Sequence, residues 1–316
     1  MSATIVHVTT VHSPFDTRIF WKECRSLARD GYDVTLVAPG VPDGERDGVH
    51  VRGIPAPSSR LERLTSTGRA AVRRTLGLNP DLVHLHDPEL LLWAPVLKRG
   101  GRVVVFDMHE NLPAAILTKA WVSSSLRRAL SISWAGAERL LLRGLPVVFA
   151  EQSYPRAYPF VRESEIVQNL PDIDALVTVE AEKATAPTLG YMGTITMERG
   201  CKAMIDAVAS VRRNGIPARL ELIGPVADAA SSALLTAVTA GPDGGSVRVH
   251  GRLPPDQGWQ IIARCHVGLA LLSPTPNYIE SYPTKLVEYM ALGVPVVTSA
   301  FPLYRESWRR FPSTFT

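Results

Sequence analysis

Cysteine is scarce in this sequence, and no hydrophobic run is long enough to cross a membrane. The 316 residues include three cysteines, Cys24, Cys201 and Cys265, without C-x-x-C spacing. This excludes a disulfide framework and indicates the reduced thiols of a cytoplasmic protein. No uninterrupted apolar run reaches the roughly 18 residues of a membrane span. The start, MSATIVHVTTVHSPFD, has no basic stretch before an apolar run, so we expect no signal peptide.

A strong charge of one sign is also absent. The 34 basic residues face 30 acidic ones, giving a net charge of +4. This suits phosphate-bearing ligands but is too weak to indicate a nucleic-acid partner. No Gly-x-Gly-x-x-Gly fingerprint follows the first apolar run, which argues against a nicotinamide or flavin enzyme. We therefore expect no cofactor and no nucleic acid.

Short apolar runs rich in β-branched residues alternate with helical patterns. The runs lie at 5–10, 33–39, 49–54, 82–87, 102–110, 146–151, 188–195, 218–224, 246–253, 267–273 and 294–300. Such strands indicate parallel sheets with helices on both faces. The pattern predicts an α/β protein of two doubly wound Rossmann-like domains facing a cleft.

The composition predicts where these domains begin and end. We place the first at 1–185, with a Pro- and Ala-rich linker at about 168–187, and the second at 188–316. The last ten residues, SWRRFPSTFT, show neither strand nor helix periodicity. The second domain is therefore expected to be incomplete at its end.

Two acids flank a helix signal in YIESYPTKLVEYMALGVPVV. Pro283 suits a helix start and Gly293 a helix end, so Glu280 falls in the preceding loop and Glu288 inside the helix. The amides between them lie at the positive end of the helix dipole, which suits phosphate oxygens, and Lys285 adds a cation. The two carboxylates could bind hydroxyls of a sugar diphosphate. Two solvated acids on an amphipathic helix are the alternative.

This segment resembles the donor-site motif of retaining glycosyltransferase family 4, in which two glutamates separated by seven residues precede a Gly-x-Pro-Val-Val run. Similar stretches are FDTRIFWKECRSLARDGYDVTLV (15–37), PDLVHLHDPELL (80–91), VVVFDMHEN (103–111) and YMGTITMERGCKAMIDA (191–207). The version with Pro283, Thr284, Lys285 and Glu288-Tyr289-Met290 is similar to a branch that builds surface polysaccharides. The resemblance implies a GT-B-type fold. It also implies transfer of a sugar, with retention and without a metal, from a nucleoside diphosphate donor of UDP or GDP type. The acceptor would be a hydroxyl on a glycan, a lipid-linked glycan or a small molecule.

The resemblance also implies roles for single residues. Glu288 would bind the donor ribose, and Arg199 would bind the diphosphate. Glu280 would face the transferred sugar, and His109 would lie beside it as the second catalytic residue. A histidine satisfied within a strand-to-loop turn is the alternative for His109.

The diphosphate site departs from the family pattern at one position. Gly193 matches the glycine that closes the first strand of the second domain, but Thr194 follows it where the family often has a second basic residue. Lys285, next to Thr284, would partly replace that contact. Two cations and helix-end amides would stabilise the charge on the leaving nucleoside diphosphate.

Other polar residues follow strands of the first domain. The acceptor-side candidates are His12, Asp16, Arg18 and His86; a helix cap is an equal alternative for Asp16. His84, His86, Asp87 and Glu89 form a second cluster at a strand end. With His109 and Glu110 they could also be metal ligands, but acceptor binding or turn structure is favoured, so we predict no metal. The Asp172-x-Asp174 pair follows Pro171 in the linker and is interpreted as linker rather than as a metal-chelating motif.

Two stretches, 60–74 and 121–143, place arginines among apolar residues. Interleaved Trp and Arg suit an anionic membrane surface, although a solvated helix face is favoured. A lipid-linked acceptor would then place the protein on the inner face of the membrane.

Three alternatives to a glycosyltransferase stay open. A nucleotide-sugar epimerase would use the same cleft without an acceptor. An inactive, truncated nucleotide-sugar-binding protein is consistent with the aperiodic end. A metallohydrolase built on His84, His86 and His109 is the third.

Overall fold

The computed structural model describes residues 2–117, 123–171, 173, 176, 178–242, 244–279 and 281–308. Glu280, Asp172, Asp174 and Trp121 lie outside the described residues, as do residues 309–316. The chain divides into two compact units, Met1–Asn169 and Leu170–Thr316, and each is described by itself. The sequence-based boundaries at 185 and 188 stay predictions.

The first domain is built on an eight-stranded sheet in the order β3-β4-β2-β1-β5-β6-β7-β8. The strands are β1 Thr4–Val8, β2 Asp33–Pro39, β3 Gly44–Arg46, β4 Val49–Ile54, β5 Leu82–Leu85, β6 Val103–Met108, β7 Val147–Phe149 and β8 Ser164–Ile166. All pairs are parallel except the β3–β4 hairpin. Parallel strands must be joined by crossovers, and these put helices on the faces of the sheet.

The helices of this domain include two π-helical turns, Ile19–Cys24 and Arg63–Thr67, each continuing into an α-helix. The α-helices are Arg25–Arg29, Arg60–Glu62, Gly68–Gly77, Ala94–Leu97, Leu112–Ile116, Ser124–Leu141 and Tyr154–Ala157, with a 3₁₀ turn at Pro88–Trp93. π-Helical turns are rare and often lie at functional sites.

The second domain has a five-stranded parallel sheet in the order β11-β10-β9-β12-β13. Its strands are β9 Thr188–Met192, β10 Arg219–Ile223, β11 Val247–Gly251, β12 Val267–Ala270 and β13 Val296–Thr298. Its helices are Cys201–Arg213, Ala229–Ala240, Pro255–Ala263, Pro276–Ile279, Thr284–Ala291 and Pro302–Trp308, with a 3₁₀ turn at Gly244–Ser246.

The predicted class of two doubly wound Rossmann-like domains is confirmed, and every predicted strand is found. Burial explains the agreement, because strands covered on both faces must be apolar throughout. Val6, Val83 and Val104 lie side by side in the first core, as do Leu220 and Leu222 in the second.

The helix Pro302–Trp308 was not predicted. It covers only seven residues, too few to show a 3.6-residue period. Tyr304 anchors it: the side chain is fully buried, and its hydroxyl donates to the Ser281 carbonyl at 3.0 Å. This contact ties the helix to the loop before the helix Thr284–Ala291.

Candidate functional site

At the carboxyl end of the second sheet, a glycine lies against a buried lysine. β9 ends at Met192, and the next residue, Gly193, has a φ of 142°. A Cβ on Gly193 would lie 3.1 Å from Lys285 Nζ and 3.3 Å from the Tyr191 hydroxyl. Both the φ and the close approach favour glycine. The backbone can therefore meet a ligand and the lysine at one place.

Lys285 stands in the first turn of the helix Thr284–Ala291 and is 8% exposed. Its Nζ lies 4.5 Å from the centre of the Tyr191 ring and donates to the Tyr191 hydroxyl at 3.4 Å. Burial lowers the pKa of Lys285 to about 7; the charge of Arg199 adds to this shift and that of Glu288 opposes it. An anion beside Lys285 would favour its charged form.

Arg199 lies in the loop between β9 and the helix Cys201–Arg213. Its Nε donates to the Tyr278 hydroxyl at 3.2 Å, and its guanidinium carbon lies 5.8 Å from the centre of that ring. Next to it, Gly200 has a φ of 84°, and a Cβ there would lie 2.0 Å from the Leu271 carbonyl oxygen. This close packing against the end of β12 fixes the loop that carries Arg199.

The helix that contains Glu288, Thr284–Ala291, begins where the sequence indicated. Pro283 is its N-cap, Thr284 its first residue, and Gly293 follows its end with a φ of 67°. Glu288 is half-buried inside the helix, and Glu280 lies outside the described residues. The positive end of the helix dipole thus lies at Thr284 and Lys285, the residues predicted to meet the diphosphate.

In the first domain, His109 follows β6 beside a buried carboxylate. Its Nε2 lies 2.8 Å from Asp107 Oδ2 and 3.1 Å from His86 Nδ1. Asp107 is fully buried and accepts two hydrogen bonds from Arg18, at 2.9 Å from Nε and 2.7 Å from a terminal nitrogen. Such bidentate pairs have a fixed geometry, so Asp107 can orient the His109 ring.

Burial and hydrogen bonding together set the protonation states in this network. Burial raises the pKa of Asp107, but hydrogen bonds from His109, His86 and Arg18 outweigh it and hold the pKa well below its usual range. Burial lowers the pKa of His86 to about 3, so its ring is neutral at pH 7. Arg18 and His86 are both buried and engaged with Asp107. Their acceptor contacts stay predictions.

His12 and Asp16 lie nearer the surface. His12 Nε2 lies 3.3 Å from Asp87 Oδ1, and its ring centre lies 5.0 Å from that of His109. Asp16 Oδ1 accepts from the Arg18 amide at 2.8 Å and from the next amide, of Ile19, at 3.1 Å. Asp16 therefore caps the π-helical turn, which was the alternative interpretation. His12 and His109 form the partly exposed edge of this network.

The structure adds two residues that no motif indicated, His7 and Glu23. His7 interrupts the apolar strand β1 and pairs in register with His84 on β5. Glu23 lies in the π-helical turn Ile19–Cys24, and its Oε2 lies 3.9 Å from His7 Nδ1. A histidine in an otherwise apolar strand was the one available signal; Glu23 had none.

Two cavities lie in separate domains. One of about 330 Å³ in the first domain is lined by residues that include Thr10, His12 and Arg63. A larger one of about 540 Å³ in the second domain is lined by residues that include Lys183 and Arg219. The larger cavity lies at the amino ends of β9 and β10. Ligands of doubly wound sheets bind at the carboxyl ends, so the Gly193 end is the candidate ligand site of this domain.

Comparisons with known proteins bear on both domains. The model of Glycosyltransferase Family 4 matches residues 17–150, and that of Glycosyl transferases group 1 matches residues 186–309. No curated protein matches the chain significantly.

Several solved structures share its fold. Sucrose-phosphate synthase from Thermosynechococcus elongatus has a TM-score of 0.70 at 15% identity, over 94% of this chain and 81% of that one. Anabaena HepE in complex with UDP and glucose has a TM-score of 0.67 at 16% identity, over 96% and 82%. The catalytic domain of starch synthase IV from Arabidopsis thaliana, bound to ADP and acarbose, has a TM-score of 0.68 at 12% identity, over 94% and 83%.

Fold and family matches together define the class: the chain is a glycosyltransferase with the GT-B fold. Within that class, its first domain is similar to the Glycosyltransferase Family 4 model and its second to the Glycosyl transferases group 1 model.

Proposed function

We propose that the second domain binds a nucleoside diphosphate sugar and that the first domain binds the acceptor hydroxyl. The observation that carries the proposal is the convergence of the Gly193 backbone, Arg199 and Lys285 at the carboxyl end of the second sheet. Two cations and a helix start at one point suit a diphosphate. Anabaena HepE, of similar fold, is described with UDP and glucose, which supports a donor of this type; UDP and GDP are the expected classes.

In the proposed reaction, the acceptor oxygen bonds to the anomeric carbon as the bond from that carbon to the phosphate oxygen breaks, and the proton of the acceptor hydroxyl passes to the leaving phosphate. The nucleoside diphosphate leaves with the bonding electrons, and Arg199 and Lys285 stabilise its charge. The resemblance to family 4 supports retention of configuration and a donor site that needs no metal. His109 and Glu280 are proposed as the residues that face the transferred sugar, and Glu288 as the contact to the ribose.

The surface-polysaccharide branch remains our proposal for the acceptor. A glycan or a lipid-linked glycan would meet His12 and Asp16, beside the cavity of about 330 Å³. That cavity also carries Arg63, which pairs with Glu89 at 2.7 Å. Its lining includes the polar side chains of Thr10, His12, Ser13 and Arg63 among Val, Ala and Pro residues, and these polar groups can bind hydroxyls.

Arg199→Ala and Glu288→Ala test the donor site. Loss of a charge-assisted hydrogen bond costs about 1.5–3 kcal/mol, so we expect each variant to bind UDP or GDP roughly 10- to 100-fold more weakly by calorimetry. Arg219→Ala is the matched control, because Arg219 is an exposed arginine at the opposite end of the same sheet. Natural affinity in both site variants would exclude this donor site. A new nucleotide sugar formed without any acceptor would indicate an epimerase instead.

We also propose contact with an anionic membrane through the helix Ser124–Leu141. Three of its leucines lie on one helical face and are exposed: Leu126 (57%), Leu130 (45%) and Leu140 (71%). Arg128 and Arg139 are exposed on the same helix. Among the described residues, no helix is long and apolar enough to cross a bilayer.

Vesicle flotation tests this contact. The natural protein should float with anionic vesicles and not with neutral ones. Leu126→Glu with Leu130→Glu should abolish flotation, while Ile216→Glu, at a 45% exposed position of the second domain, should not. Equal flotation of all three proteins would contradict the assignment.

A further inference from the structure

Three histidines and a glutamate meet inside the first domain, and we call His7, Glu23, His84 and His86 the buried histidine cluster. β1 and β5 are neighbours, with His7 opposite His84. His86 follows two residues later, so it lies on the same face as His84. The three ring centres lie 4.8–5.1 Å apart. Glu23 faces them from the π-helical turn.

Several polar atoms of the cluster are buried without a hydrogen-bond partner: both carboxylate oxygens of Glu23, His84 Nε2 and His7 Nε2. Glu23 Oε1 lies 2.9 Å from Arg18 Nε, but the hydrogen of that nitrogen is directed to Asp107. Buried polar groups are nearly always paired, and each exception requires an explanation. The Glu23 oxygens and His84 Nε2 are electron-pair donors of the kind that metal ions bind, and they lie beside the His7 Nδ1–His86 Nε2 contact.

The spacing of the donor atoms fits a single small cation. His7 Nδ1 lies 2.9 Å from His86 Nε2, and both lie 3.9 Å from Glu23 Oε2. A tetrahedral zinc ion with bonds of about 2.0–2.2 Å separates its ligand atoms by about 3.4 Å, which lies within this range. One nitrogen of His84 completes the set, since ligand atoms from all four residues lie within 4.8 Å of one another.

A second layer of contacts orients one of these ligands. The other nitrogen of His86, Nδ1, lies 3.3 Å from Asp107 Oδ2, and Arg18 donates to both oxygens of Asp107. Metal-ligating histidines characteristically donate their second N–H to a carboxylate, which fixes the ring and its tautomer. The same carboxylate contacts His109 at 2.8 Å, so the cluster and the partly exposed edge of the network share Asp107.

We propose that the buried histidine cluster binds one divalent transition-metal ion, with zinc as the best match. Three imidazoles and a carboxylate are ligands that zinc accepts in tetrahedral geometry, whereas magnesium and calcium prefer oxygen ligands. Four protein ligands make a closed, structural site that joins β1, β5 and the π-helical turn. Through His86 and Asp107 the ion also fixes the orientation of His109. The site is independent of the donor site proposed in the second domain.

Metal content of the purified full-length chain tests the proposal. Zinc is added first and the excess is then removed by exhaustive dialysis. We expect about one tightly held zinc per chain by elemental analysis. A chelator that removes it should lower the melting temperature, and zinc should restore it, because an ion that binds only the folded state stabilises that state. Cobalt in place of zinc should give the visible absorption of a tetrahedral site.

Matched variants locate the ion. Glu23→Gln is nearly isosteric and should lose the zinc while keeping its far-UV circular dichroism; His84→Gln is a second ligand variant. His50→Gln, at a half-exposed histidine of β4 in the same domain, should keep it.

A natural protein without tightly bound zinc would overturn the proposal. So would zinc that persists in both ligand variants but is lost in His109→Gln, since it would then lie at His86, Asp107 and His109 instead. Donor affinity should remain at its natural value in Glu23→Gln, so this test and that of the donor site can fail separately.

Discussion

The two domains treat buried charge in opposite ways at the carboxyl ends of their sheets. In the first, the Arg18 guanidinium meets the Asp107 carboxylate at 2.7 Å, and hydrogen bonds to Asp107 outweigh its burial. In the second, Arg199 and Lys285 are close enough for their positive charges to repel each other. Arg199 lies near the ring of Tyr278, and Lys285 lies near the ring of Tyr191. Burial and the charge of Arg199 lower the pKa of Lys285 to about 7.

The two arrangements differ in whether the buried charge is already neutralised by another side chain. A matched ion pair inside a protein is neutral overall and needs no further partner. A buried lysine beside an arginine is destabilised until an anion arrives, and the anion then removes the cost of burial. We therefore propose that the first domain holds His109 in place and that the second binds a negatively charged ligand.

The largest expected effect follows from removing negative charge from the first domain. Asp107→Ala removes the carboxylate that accepts two hydrogen bonds from the buried Arg18, so we expect the free energy of unfolding to fall by about 3–5 kcal/mol. Urea denaturation measures this. The double variant Arg18→Met with Asp107→Leu replaces both charges by apolar groups and should be clearly more stable than Asp107→Ala. If the double variant were the less stable of the two, charge matching would not be the reason for the loss.

In the second domain, removing a charge should have the opposite sign. Lys285→Met keeps the shape of the side chain and removes the buried cation, so at pH 7 we expect stability to rise by about 2–4 kcal/mol. The folded-state pKa of Lys285, about 7, lies below its ordinary value. The natural protein should therefore gain stability as pH rises from about 7 towards 10.5, and lose it as pH falls through 7. The variant should lack that slope; a destabilised variant would show that Lys285 is held by interactions stronger than its burial cost.

The same variant should bind the donor poorly. A diphosphate beside Lys285 raises its pKa, so at pH 8 binding should take up part of a proton. Calorimetry in buffers of different ionisation enthalpy measures this uptake, which should disappear in Lys285→Met. Lys202→Met is the control, since Lys202 is an exposed lysine paired with Asp206.

How far the sequence predicted this molecule depends on how local each signal is. The strands and the helix between Pro283 and Gly293 were predicted because periodicity and end signals lie within a few residues. The hairpin strand Gly44–Arg46 is three exposed residues and carries no such signal. The two π-helical turns, Ile19–Cys24 and Arg63–Thr67, carry no local signal that distinguishes them from an ordinary α-helix.

The candidate sites show the same limit. His84 and His86 were singled out because they end one apolar strand together, but Glu23 joins them only through the packing of a helix 61 positions earlier than His84 in the chain. Arg18 was predicted to face the acceptor from its place after the first strand. Its burial against Asp107, 89 residues away, depends on which strands are neighbours in the sheet. No local pattern in the sequence indicates that order.

The smallest expected effect concerns a buried acid of the first domain outside the Asp107 network. Glu138 is 1% exposed and accepts a hydrogen bond from the Tyr158 hydroxyl at 3.0 Å. Burial raises the pKa of Glu138 to about 6. Stability from this group is therefore present below its ordinary pKa of about 4.3–4.5 and is lost as pH rises through about 6.

Glu138→Gln keeps the acceptor oxygen without the charge, so it should be more stable than the natural protein by about 1–2 kcal/mol at pH 8 and show no gain at pH 4.5. Urea unfolding at both values measures the difference, with Glu165→Gln as an exposed control on β8. An equal gain at both pH values would mean that packing, rather than charge, accounts for it. The contrast between the domains would then rest on Asp107 and Lys285 alone.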